Sequence, residues 1–194
     1  MTTQTVTQSP AHRVSVEEPK TRSTAAGISL AVLRVSMGFV FVWAFLDKTF
    51  GLHYATPSAK AWIHGGSPTK GFLNSVEVGP LQSWFHSIAG TWWADWLFML
   101  GLLGVGLTLI LGVLMYAGAA AGVALLGLMW LAEFPLAQHT SAGAASGSTN
   151  PFADYHYIYA VVLVVLALTG AARTWGLGQW WAARSVIRRH PWLR

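Results

Sequence analysis

The chain has 194 residues, 54% of them hydrophobic and only 10% charged, with a formal net charge of +5 and no cysteine. A water-soluble domain carries about 25% charged residues, so this composition excludes a typical soluble enzyme, and with it a disordered chain and a disulfide scaffold. Without cysteine there is no thiol redox chemistry, thiolate metal site or iron–sulfur ligation by this chain alone. An integral membrane protein of one small domain remains.

Residues 1–24 are rich in Thr, Ser and Gln, contain Pro10 and Pro19, and read as a disordered polar tail. Between Ile28 and Leu46 the only charge is Arg34. That run reaches roughly 28 Å as a helix, the thickness of a bilayer core, and reads as a retained span rather than a cleaved signal peptide. The loop from Lys48 to Asp95 is too long for a simple connection. Within it, Thr56-Pro57 reads as an N-cap and first helical position of a segment ending at Gly65-Gly66. Gly79-Pro80 opens a second segment, with Leu81, Trp84, Phe85 and Ile88 at helical spacing and Gly90 closing it.

Leu97–Ala132 carries no charge. As one helix it would be roughly 54 Å long, too much for a single crossing, so two spans with a tight turn near Gly112–Gly118 are expected. The run Ser141–Thr149 in the next loop reads as flexible, and residues 155–172, bounded by Asp154 and Arg173, form a fourth apolar block. The predicted fold is an all-α integral membrane protein. It comprises a four-transmembrane-helix bundle over 25–178, short interfacial helices in the first outer loop, and a basic amphipathic tail over 179–194.

Orientation follows from the basic residues. With both termini cytoplasmic, that side takes all the arginines and Lys20, leaving only Lys48, Lys60 and Lys70 outside. Trp43, Trp92, Trp93, Trp96 and Trp130 then fall near the outer boundary and Trp175, Trp180 and Trp181 near the inner one, the level indole rings prefer. The Arg-rich tail is expected along the anionic inner leaflet, and membrane lipid, not nucleic acid, is its expected partner.

Five acids (Asp47, Glu77, Asp95, Glu133, Asp154) and five histidines (His53, His64, His86, His139, His156) gather at the outer side. Asp47 and Lys48 end the first span, Glu133 ends the third, and Asp154 and His156 open the fourth, so helix ends at one level bring these groups into reach. Lys48 would hold an anion, while His156 and the carboxylates would move protons. The competing view is that they merely end helices at the water boundary. Arg34 either snorkels to the inner surface or is buried and needs a carboxylate, helix carbonyls or a bound ligand; the last makes it a candidate cofactor-binding residue. The histidines show no HExxH or His-x3-His pair and none lies mid-span, so neither a metal ligand set nor a haem is assigned. A dispersed outer His/Asp/Glu set is the one metal arrangement left open.

Three stretches resemble the DoxX/DoxD family. LRVSMGFVFVWAFLDKTFG is similar to its first helix, with Arg34, Gly38, Phe41 and Lys48 matching. GLLGVGLTLILGVLMYAGAAAG is similar to its Gly-rich second helix and turn, although Met115-Tyr116 stands where the family often has a basic residue. NPFADYHYIYAVVLVVLAL is similar to the opening of its fourth helix, through Asn150, Pro151, Asp154, His156 and Tyr159. The resemblance spans roughly residues 28–178. It implies a prokaryotic inner-membrane protein, and the outer insertion places it nearer the DoxD branch, similar to a subunit of thiosulfate:quinone oxidoreductase that works with a second small subunit.

Two functions therefore stand. One is a quinone-linked redox subunit with quinone as its electron acceptor and Asp47, Lys48, Glu133, Asp154 and His156 at its outer mouth. The other is a non-catalytic anchor or assembly subunit of a larger respiratory or redox complex, with Gly-rich helix faces making protein contacts. A transporter is disfavoured by the small number of spans and the lack of an inverted repeat.

Overall fold

The computed structural model describes residues 24–190 and Leu193; the N-terminal polar tail expected from the sequence lies outside the described residues. Those residues are helical apart from loops. The long helices are α1 (Thr24–Phe50), α4 (Trp92–Leu111), α5 (Met115–Glu133) and α6 (Tyr155–Leu168), with short α2 (Lys70–Asn74) and α3 (Gln82–Ile88) before α4. The short helices α7 (Gly178–Ala182) and α8 (Ser185–Arg189) follow α6. Three helices, α1, α4 and α5, are long and apolar enough to cross a membrane. Their outward faces leave Phe39, Leu97 and Leu100 more than half exposed, a surface for lipid rather than water.

The long helices pack in chain order, α1 on α4, α4 on α5 and α5 on α6, and the 3-10 turn Ala171–Arg173 returns to α1. Successive helices run antiparallel, and glycine sets how closely they approach. A Cβ on Gly106 would lie 2.9 Å from the backbone nitrogen of Val42 and 3.1 Å from Gly38 O. Neither obstacle is a side chain that can turn aside. Gly106→Val is therefore expected to cost about 1–3 kcal/mol by forcing α1 and α4 apart, read as a lower melting temperature in detergent; an unchanged melt would show that this seam is looser than described. Gly122 instead makes room for the side chains of Leu163 and Val105, and Gly118 for that of Thr108, so the Gly-x3-Gly spacing is used inside the chain. Met99, Leu102, Val105, Leu109, Leu163 and Leu166 fill the centre.

Local chemistry moves several boundaries from where the sequence pattern placed them. The α4–α5 turn needs only Gly112–Leu114, because Gly112 takes a left-handed conformation (φ 72°) and α5 starts at Met115. The helix expected over residues 155–172 stops at Leu168. There the Thr169 hydroxyl turns back on Val165 O at 2.6 Å, and Gly170 (φ 64°) ends the helix in a left-handed cap. Pro57 precedes two 3-10 turns, Ser58–Lys60 and Trp62–His64, rather than an α-helix. The segment expected from Gly79-Pro80 appears as α3, beginning at Gln82, and packs Phe85 with Leu73 of the unanticipated α2. Ser141–Thr149 lies in a hydrogen-bonded turn, with Thr140 N–H donating to Ala144 O and Ser146 N–H to Gln138 O.

At one end of the bundle the last four carbonyls of α4 would be left without intrahelical partners. All four are accounted for. Gly112 and Val113 N–H take Thr108 O, Leu177 N–H takes Leu111 O, and the Arg34 guanidinium donates to Leu109 O and Ile110 O. Its other terminal nitrogen donates to Trp175 O at 2.6 Å. Arg34 is fully buried, so the snorkelling alternative fails and helix carbonyls are its partners. The negative end of the α4 dipole adds to their attraction for its charge. Beyond it, Arg184 lies over the Trp180 ring, 3.8 Å from the centroid, in the basic tail formed by α7 and α8.

Candidate functional site

The other end of the bundle carries Asp47, Lys48, Asp95, Glu133, Asp154 and His156, but not in one cluster. Asp47 is buried and accepts from the backbone N–H of Tyr54 and Ala55 at 3.2 and 3.0 Å. It thus ties the start of the long loop to α1. Asp95 does the same for a later part of the loop: its Oδ1 accepts from Ser67 Oγ, Thr69 N and Thr69 Oγ1. Lys48 is half-buried beside Asp47 in the chain and forms no ion pair among the described residues.

Glu133, Asp154 and His156 do come together. The antiparallel packing of α5 and α6 sets the last residue of one beside the first turn of the other. Asp154 is the N-cap of α6, accepting Tyr157 N–H on Oδ1 at 3.0 Å. Its other oxygen, Oδ2, is 2.9 Å from Nδ1 of His156, and Glu133 Oε2 is 3.7 Å from the same nitrogen. Because a carboxylate only accepts, the Asp154 contact places a ring proton on Nδ1. Tyr155, which the sequence reading passed over, donates its hydroxyl to Glu133 Oε1 at 3.0 Å and stacks on the His156 ring at 3.9 Å. Its position between Asp154 and His156 was the available clue.

The His156 side chain is fully buried, and its Nε2 has no hydrogen-bond partner among the described residues. A buried polar atom left unpaired costs about 1–3 kcal/mol, so its retention calls for a reason. Arg34 lies beyond the far end of α6, a helix of about 21 Å; its terminal nitrogens are taken up by protein carbonyls, while its Nε is likewise buried without a partner among the described residues.

Two cavities adjoin this end. A polar one of about 440 Å³ has Glu133, Asp154, Tyr155, Thr140, Ser148 and Asn150 in its wall. An apolar one of about 320 Å³ lies between α4, α5 and the α2–α3 pair, walled by Leu73, Trp84, Trp93, Leu97, Leu125 and Met129. Phe72 of α2 borders both. The two cavities thus share Phe72 but differ in lining, carboxylates and hydroxyls in one and apolar side chains in the other. In comparison with known proteins, no family model, no curated protein and no solved structure matches the chain.

Proposed function

We propose that this protein is a DoxX/DoxD-like membrane subunit of a quinone-linked redox system, oxidising thiosulfate at the outer face of a prokaryotic inner membrane. The observation that carries this reading is the buried, unpartnered Nε2 of His156, on a ring whose Nδ1 faces Asp154 and Glu133. With a proton on Nδ1, Nε2 of a neutral ring accepts, so it would pair with the hydroxyl of the reduced quinol, and with a quinone oxygen only when the ring carries its second proton. Quinone, when bound here, would supply a two-electron acceptor that also takes up two protons, matching the two electrons released when two thiosulfates join through a sulfur–sulfur bond.

The chain's residues do the rest. His156 holds and passes the proton, Asp154 fixes the ring orientation, and Glu133, pinned by Tyr155, stands between the ring and the polar cavity. Lys48, at the same end of the bundle, holds the anionic donor by charge. In this reading α6 with the turn to Arg173 completes a fourth crossing, both termini are cytoplasmic, and a second small subunit joins the complex.

The test is quinone reduction by lipid-reconstituted protein with the second subunit supplied, thiosulfate as donor and a no-protein control. Thiosulfate-dependent turnover is expected, and Lys48→Ala should raise KM for thiosulfate about tenfold with a smaller effect on kcat. Folded protein without turnover overturns the reading. It would favour the non-catalytic anchor, for which the absence of cysteine from all 194 residues speaks, since electron storage then falls to other components.

A further inference from the structure

Glu133, Asp154 and His156 each offer one donor atom, and these atoms all lie within 4.8 Å of one another. The separations of 2.9 and 3.7 Å from His156 Nδ1 to the two carboxylate oxygens bracket the edge of a coordination tetrahedron. That edge is about 3.3 Å for metal–ligand bonds of about 2.05 Å. The second oxygen of each carboxylate is already held, Glu133 Oε1 by the Tyr155 hydroxyl and Asp154 Oδ1 by Tyr157 N–H. Outer hydrogen bonds of this kind orient metal ligands. Neither carboxylate pairs with Lys or Arg among the described residues, so two negative groups share one imidazole and no fixed cation.

A separate observation comes from the adjoining cavity. The Thr140 hydroxyl oxygen is buried without a partner among the described residues, and Thr140 shares a cavity wall with Glu133 and Asp154. A hydroxyl left unpaired in that wall lacks the bonding that a ligand, or water carried by a ligand, would provide.

We propose that Glu133, Asp154 and His156 bind a first-row divalent cation, with a coordination position open toward the polar cavity. One imidazole and two carboxylates suit a cation of borderline character, zinc foremost; calcium takes six to eight oxygens and magnesium a near-ideal octahedron. A cation on Nδ1 leaves the single N–H of a neutral ring on Nε2, turned away from the metal. The site rests on these contacts and not on the quinone reading.

Zinc is the probe. The full chain, purified in detergent and stripped with chelator, is titrated calorimetrically with Zn²⁺, and Co²⁺ is added in parallel to report coordination through its visible absorption. One equivalent should bind at about micromolar Kd, His156→Ala should abolish binding, and Glu133→Gln should weaken it at least about tenfold. His64→Ala, on a ring bonded to Ser58 O away from the cluster, should bind as the parent does. Glu133→Gln changes a side chain that is 39% exposed and so preserves the test if His156→Ala does not fold. Binding absent below millimolar zinc, or unchanged in Glu133→Gln, overturns the proposal. The titration uses neither quinone nor thiosulfate, so its failure leaves the redox reading standing, and a sample without turnover leaves the cation site standing.

Discussion

Replacing Arg34 with methionine is expected to lower the melting temperature of the detergent-solubilised protein by roughly 10 °C or more. Methionine fills a similar length but donates nothing, so Leu109 O, Ile110 O and Trp175 O lose their donor in a buried setting. Each stranded acceptor costs about 1–3 kcal/mol. The effect exceeds that of a lost surface charge because Arg34 joins α1, the end of α4 and the segment after α6 through one planar group. Arg34→Lys should recover only part of the loss, since a single ammonium cannot span carbonyls on two sides. A methionine variant that melts with the parent protein would show that the carbonyls find other donors, and the guanidinium would then be free to serve a ligand.

Turnover, where stability is spared, should depend most on His156. In the quinone assay His156→Ala is expected to lower kcat by about 100-fold or more, the usual scale for losing a positioned proton donor. The variant should still insert in the membrane, because His156 lies in the first turn of α6 and the apolar run that follows it is unchanged. Tyr155→Phe removes only the hydroxyl that pins Glu133 and should cost much less, about two- to tenfold. If His156→Ala keeps full turnover, the unpartnered nitrogen is not where protons are exchanged, and the functional reading loses its support.

The long uncharged runs made α1, α4 and α5 legible in the sequence, because the cost of burying charge in hydrocarbon acts on every residue of a span. The length of α6 was not legible in this way: an apolar run says where lipid is tolerated, whereas Thr169 and Gly170 decide where the helix stops. Helix α2 has only five residues and is held by Leu73 against α3, a tertiary contact without local periodicity. Among the site residues, the sequence brought Glu133, Asp154 and His156 into one candidate set, and the packing of α5 on α6 supplies their meeting. The same reasoning placed Asp47 beside them. It could not see that the loop returns backbone N–H groups to that carboxylate, since an acid serving a loop and an acid serving a site look alike in one dimension.

Phe72 has a consequence of a different kind. The two cavities it borders differ in lining, one with Glu133 and Asp154 in its wall and the other apolar almost throughout. Its side chain turns about only two bonds, so a rotation of that one ring would reshape both walls together.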